Sequence, residues 1–210
     1  MSNEVWVLIE RSSTGEGLAP ISRELLGKGR ELAGATGGPL AALVLAEGAA
    51  ALAEQAFAYG ADKAYVVDNP ALGQYTTDAF VGAAAALARK YSPALILTGA
   101  SFQMRDFSAA LAAEIGAGLA VDATSVSVEG EEIRATRASH GGNVINQLVI
   151  GRTRPAVVSV RKQSFPEAQQ QPGRSGEIVA ESMPDVPLRQ RVVSVAPKQG
   201  AVNLSDAAVI

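Results

Sequence analysis

The sequence has no cysteine in its 210 residues. That excludes disulfides, thiolate catalysis, iron–sulfur ligation and cysteine-bound zinc, and it fits a reducing compartment. There is a single histidine, His140, so a multi-histidine metal site is excluded too. Basic residues are not in excess. The formal net charge is -3, which argues against general nucleic-acid binding, because nothing is left over to neutralise phosphates. No uninterrupted apolar stretch approaches the roughly 20 residues of a membrane helix. The alanine-rich parts are broken by Glu, Gln, Lys and Arg. The start, Met1-Ser2-Asn3-Glu4, lacks the basic residues and apolar stretch of a secretion signal. These absences predict a cytoplasmic protein without membrane insertion. The phosphate-binding patterns G-x-x-x-x-G-K-[ST] and G-x-G-x-x-G are missing, and so is the nucleophile elbow G-x-S-x-G.

What is present is a strongly apolar chain, 48% of it hydrophobic. A chain of this length buries roughly 70% of its unfolded surface, so it needs no covalent staple. Its first half alternates two patterns. Val5 to Ile9, Leu40 to Leu45, Ala64 to Val67 and Leu95 to Thr98 are short continuous apolar runs. Runs without alternation suit strands covered on both faces, as in a parallel sheet. Between them lie helical stripes. Ile21, Leu25 and Leu32 form one, and Leu52, Ala53, Ala56 and Phe57 another. Phe80, Ala84, Leu87, Ala88 and Tyr91 follow, then Phe107, Leu111 and Ile115. Glycines at 34, 37, 38, 60, 116 and 118 stop these stripes. Thr76 or Thr77 is a suitable cap for the third helix, with Asp78 in its positive first turn. Strand–helix alternation implies right-handed crossovers and a layered α/β sheet.

After Val121 the period changes to two. Val126 and Val128 alternate with Ser127, Glu129-Gly130-Glu131 makes a turn, and Ile133 and Ala135 alternate with Arg134 and Thr136. Gly141-Gly142 leads into a β-rich run from Val144 to Ile150. These read as antiparallel hairpins, either extending the sheet or forming a small subdomain at its edge. Ala156 to Val160 is a further apolar strand. Ser164 to Gly176 reads as a polar surface loop, Ile178 to Ala180 and Arg191 to Val195 as late strands, and Pro197 to Gln199 as a linker. Asn203-Leu204-Ser205-Asp206 leads into Ala207 to Ile210, which reads either as the opening of a buried strand or as a frayed apolar tail.

Few side chains carry a chemical signal. Thr98-Gly99-Ala100-Ser101 follows a strand and precedes a helix, the usual ligand crevice of an open α/β sheet. It suits either an anion at a helix N-terminus or a tight packing turn. Thr98 and Ser101 are therefore the weak candidates for nucleotide contact, in a free-standing nucleotide-binding module. Arg105 and Asp106 open the following helix, where pairing and dipole roles are both structural. Arg152, Arg154 and Arg161 flank the Ala156–Val160 strand and suit an acidic partner or a charged strand edge. Thr14-Gly15-Glu16-Gly17 resembles a phosphate loop only loosely, and His140 reads as a turn residue. No pairing of titratable groups points to acid–base catalysis.

Three segments together carry a resemblance. They are VWVLIE from Val5, LTGASFQMRDFSAALAAEIGAGLAVDATSV from Leu97, and SHGGNVINQLVIGRTRPAVVSVRKQSF from Ser139. In order and spacing the chain resembles the N-terminal domain of electron transfer flavoprotein alpha subunits. The matching motif positions are Thr98, Arg105, Asp106, the run Ala113 to Leu119, Asp122, Gly142-Asn143 and Ser159-Val160-Arg161 through Phe165. Ser159 stands where the family usually has threonine, and Ser139-His140 precedes the glycine pair.

The resemblance implies a layered α/β domain with a parallel, Rossmann-like first half (adenine nucleotide alpha hydrolase-like) and an antiparallel β extension. It implies a domain over residues 1–196, followed at 197–210 by a linker and the start of a missing FAD-binding domain. It implies a heterodimer with a beta subunit, carrying electrons from flavin dehydrogenases to an acceptor oxidoreductase. FAD would belong to the full heterodimer and none to this chain alone. Arg105, Asp106, Asp122, Asn143 and Arg161 would be structural motif residues, with no catalytic residue and no metal ligand among them.

Overall fold

The computed structural model describes residues 2–12, 17–151 and 155–196. Thr14 to Glu16, Arg152, Arg154, the Pro197–Gln199 linker and the segment from Asn203 to Ile210 lie outside the described residues.

The chain runs β1 (Val5–Leu8), α1 (Pro20–Thr36), β2 (Leu40–Ala46), α2 (Ala50–Ala58), β3 (Lys63–Asp68), α3 (Thr77–Tyr91), β4 (Leu95–Gly99) and α4 (Phe102–Ile115). It continues with β5 (Gly118–Ala123), β6 (Ser125–Glu129), β7 (Glu132–Ser139), β8 (Val144–Ile150), β9 (Ala156–Val160) and β10 (Glu177–Glu181). Seven of these strands form one sheet in the order β10-β3-β2-β1-β4-β9-β5, with every pairing parallel. The four apolar runs became its four innermost early strands because each is covered on both sides. Alternate residues feed two cores. Val5, Val7, Leu40, Ala42, Leu95 and Leu97 face α1 and α2. Trp6, Leu8, Ala41, Leu43 and Ile96 face α3 and α4.

The helix ends follow local chemistry. Pro20 opens α1, where its missing N–H is no loss. Gly37 and Gly116 close α1 and α4 in the left-handed conformation that a glycine adopts without strain. Ser101 caps α4, its hydroxyl accepting from the Met104 N–H.

The second half is richer in parallel structure than its pattern implies. β6, β7 and β8 form a separate antiparallel sheet, while β5, β9 and β10 join the parallel one. Gly118–Ala123, which carries no clear strand pattern, is the strand β5 at one edge. The expected strand at Arg191–Val195 is not present. That segment is exposed and makes no strand among the described residues. The reason is its route. Past β10 the chain crosses the outer surface of α3, where no strand edge is on offer. The Arg189 N–H donates to Asp78 at 3.0 Å. Val186 sits so near Gly82 that a Cβ there would lie 2.7 Å from its Cγ1.

Candidate functional site

The chain reverses its winding direction at β1, which has β2 on one side and β4 on the other. Crevices outside the carboxyl ends of strands at such a point are where open α/β sheets hold ligands. Here a cleft of about 570 Å³ opens beside Glu10, Arg11, Glu47, Tyr75, Gln103 and Met104.

Glu10 dominates this end of the sheet. It lies just past β1, and its backbone is tied to α1, the N–H donating to the Ser22 hydroxyl at 2.8 Å. Its Oε2 accepts from the Ser101 hydroxyl at 3.0 Å. Its Oε1 is buried and lacks a partner of good hydrogen-bond geometry among the described residues, although the Gly99 backbone is near enough to favour its charge. That oxygen lies over Gly99, where a Cβ would come within 2.2 Å of it. Burial pushes the Glu10 carboxyl up, opposed by the Ser101 hydrogen bond and by the charge of Lys162.

Thr98 and Ser101 have internal partners. Thr98 is fully buried, and its hydroxyl meets that of Ser108 at 2.7 Å. Ser101 is occupied by the α4 cap and by Glu10.

A second cluster lies at the ends of β9 and β5. Asp122 sits at an irregularity in the β5–β9 pairing with φ of 57°. This left-handed conformation is one that Asp and Asn tolerate better than other side chains. Arg161 clamps its carboxylate through Nη2 at 2.7 Å and Nε at 3.3 Å. Arg105 approaches it at 3.5 Å, while its Nε–H donates to the Ala100 carbonyl. The hydrogen bond from Arg161, then the fields of Arg161, Arg105 and Arg137, hold the Asp122 carboxyl below the usual range.

The fold thus brings three motif residues from distant parts of the chain onto one hub. Asp106 does not join them. It accepts from Tyr75 at 2.6 Å and Thr77 at 2.7 Å, tying α4 to the start of α3. Those two hydrogen bonds lower its pKa. Asn143 is farther off, in the β7–β8 turn, donating to the His140 carbonyl at 3.0 Å. His140 itself is an exposed turn residue with φ of 52°.

The hub makes a pH prediction. Asp122 has a lowered pKa in the folded state, so its contribution is complete above the unfolded value of about 3.9 and is lost as pH falls through the folded value. Asn keeps the backbone conformation but not the charge. The stability gap between the protein and Asp122→Asn, read from urea melts, should be constant near neutral pH and narrow below about pH 4. A gap unchanged at about pH 3 contradicts the ion-pair account.

Two glutamates were not legible as important. Glu10 ends an apolar run and looks like a solvent boundary. Glu24 sits within the α1 stripe, three residues after Ile21, yet is only 3% exposed. Its carboxylate accepts the backbone N–H groups of Gln163, Ser164 and Phe165 at 3.0, 3.2 and 3.4 Å. A charge placed on an apolar stripe is the one available signal for it.

Comparison with known proteins decides the family. The Electron transfer flavoprotein domain family matches residues 5–186. The chain belongs to the electron transfer flavoprotein family. Among the relatives of this chain, the electron transfer flavoprotein subunit alpha of Thermoanaerobacterium thermosaccharolyticum is 30% identical over 211 residues, covering 99% of this chain and 63% of that one. Protein FixB of Clostridium saccharobutylicum is 36% identical over 213 residues, covering 98% and 62%. The LctC subunit of the NAD(+),ferredoxin lactate dehydrogenase of Acetobacterium woodii is 30% identical, covering 91% and 46%. The chain therefore spans about three fifths of the length of the first two relatives. The electron transfer flavoprotein match takes in Glu10, Glu24, Ser101, Arg105, Asp122 and Arg161, so both clusters lie inside the family domain. No helix among the described residues is long and apolar enough to cross a membrane.

Proposed function

We propose that this chain is the N-terminal platform of an electron transfer flavoprotein alpha subunit, spanning residues 1–196, with the linker to a FAD-bearing domain beginning at residue 197. The platform docks a beta subunit and supports the flavin domain. The whole heterodimer, in the cytoplasm, takes electrons from flavin dehydrogenases and passes them to an acceptor oxidoreductase. The redox chemistry belongs to the cofactor, and the protein supplies its position and surroundings.

The observation that carries the docking role is the outer surface of β8. This edge strand of the small sheet exposes Ile145 at 66%, Val149 at 51% and Val144 at 41%. Ile145 and Val149 share a face, opposite Ala138 and Arg134 of β7. An open strand edge carrying exposed branched apolar side chains is an aggregation hazard unless a partner covers it. Co-expression with the beta subunit should yield a stable equimolar complex. Ile145→Asp should weaken that complex by about tenfold or more. The same change should leave the melt of the isolated chain within about 0.5 kcal/mol. Unchanged affinity would remove β8 from the interface.

Among the described residues, the crevice at the end of β4 does not suit a flavin dinucleotide. Its pyrophosphate needs an anion seat such as a helix N-terminus. At α4 that position faces the Glu10 carboxylate, and the capping serine is already bonded to it. Glu47 adds a second carboxylate to the cleft. The same argument weighs against a free-standing nucleotide module.

A further inference from the structure

Phe102 opens α4 and is 92% exposed, the barest large apolar side chain among the described residues. Nothing in the helix asks for an aromatic ring there. Ser101 supplies the cap, and Met104, Phe107, Ser108 and Leu111 supply the buried face. Single apolar residues on a surface are ordinary. This one has Arg105 three positions on, on the same face of the helix. Arg105 in turn reaches Asp122, where Arg161 is already bound. Aromatic rings and arginines are the residue types that protein interfaces concentrate.

The charge at this place is unbalanced. Arg105 and Arg161 share the Asp122 carboxylate, and Arg137 of β7 adds its field. Three guanidinium groups thus face one carboxylate. Glu10, at the same end of the sheet, is met by the charge of Lys162. Asp106 is turned toward Tyr75 and Thr77. Three positive charges against one negative leave two over, in a chain whose formal net charge is -3. Arg105 and Arg161 are half-exposed, and their Nη1 groups have no partner among the described residues. A half-exposed ion pair adds little to stability. It does hold two guanidinium groups in fixed positions, ready for further carboxylates. The group also adjoins β8, because Arg137 pairs in register with Asn146, the neighbour of Ile145.

Resting on the beta-subunit docking assigned above to β8, we propose that the same interface continues across the arginine group to Phe102, where the beta subunit presents carboxylates around an apolar recess. Phe102 enters the recess, and Arg105 and Arg161 take carboxylates at its rim. The acidic character of the partner surface follows from the excess of positive charge. A basic or neutral surface would leave guanidinium groups desolvated and unpaired. Charges at a rim act mainly on the association rate, through a long-range attraction that salt screens. An aromatic anchor seated in a pocket acts mainly on the dissociation rate. Kinetics therefore separate the two parts of the surface.

Binding of the chain to immobilised beta subunit, followed by surface plasmon resonance at about 0.02 M and about 0.5 M salt, tests this. Phe102→Ala should raise the dissociation rate by about tenfold or more at both salts. Arg105→Glu should lower the association rate by about tenfold at low salt, with most of that difference gone at high salt. Arg89→Glu, the same change of charge near the C-terminus of α3, should behave as the parent. Phe102 is exposed, so its variant folds even where a charge reversal beside Asp122 does not, and Arg105→Gln then removes the charge without reversing it. A chain that binds the beta subunit and responds to Ile145→Asp, but not to Phe102→Ala or Arg105→Glu, overturns the proposal and leaves the β8 docking intact. Loss of FAD from the full heterodimer in these two variants, with beta-subunit binding unchanged, also overturns it and gives the patch to the flavin-bearing domain. No binding by the unaltered chain overturns both this proposal and the docking at β8.

Discussion

Replacing Glu24 with alanine should destabilise the protein by about 3 kcal/mol, the largest effect expected of any single truncation discussed for this chain. The side chain projects from the second turn of α1 and is only 3% exposed. Its two oxygens take three successive backbone N–H groups from the turn that follows β9. Hydrogen bonds to a charged acceptor are worth more than neutral ones, and donors left unpaired in the interior carry their own desolvation penalty. Gln163 holds φ of 60°, a conformation the chain keeps only while its surroundings demand it. Losing Glu24 therefore removes the anchor and releases the strain together. For a chain of this size the expected fall in Tm is about 6–12 °C. Glu24→Gln keeps the volume and one acceptor oxygen, so its loss should be smaller. Urea titrations of the two variants check the order. A loss below about 1 kcal/mol for the alanine variant would show that the turn holds itself.

Gly99→Ala should cost about 2 kcal/mol by overpacking, and the cost should depend on Glu10. The added methyl would sit 2.2 Å from Glu10 Oε1 and 3.0 Å from Ile21 Cγ1. The carboxylate cannot swing away freely, because Oε2 is held by Ser101. Glu10→Ala removes the obstruction, so Gly99→Ala should be much milder in that background. The expected coupling is about 1–2 kcal/mol in a double-mutant cycle. Additive effects would mean that the carboxylate relocates without penalty and is not fixed over the end of β4.

The contrast between what could and could not be read in the chain has a physical basis. β1 to β4 were legible because strands buried on both faces need unbroken apolar runs. β5 was not, because it mixes Gly118 and Asp122 with half-buried positions and carries an irregularity. β9 was recognisable as a strand from its own residues. Its place between β4 and β5 rests on partners far away in sequence, which no local pattern encodes. Arg191–Val195 has the alternation of a strand, but pairing also requires a free edge, and Arg191 and Val192 lie instead beside the turn at Pro70, Gly73 and Gln74.

The site divides in the same way. Arg105, Asp122 and Arg161 entered through a family resemblance, and the fold explains why they occur as a set, since they share one carboxylate. Glu10 and Glu24 stayed hidden because a glutamate beside apolar residues is usually at the boundary with water. Here each has turned inward onto donors supplied by a different element.

The central claim is that this chain is a platform and that the flavin belongs elsewhere in the full protein. The most direct measurement is the visible absorbance of the purified chain after incubation with excess FAD and gel filtration. Colourless protein is the predicted result. A stoichiometric flavin spectrum eluting with the chain would contradict it, because the crevice guarded by Glu10 and Ser101 would then have accepted the very anion it is built to refuse.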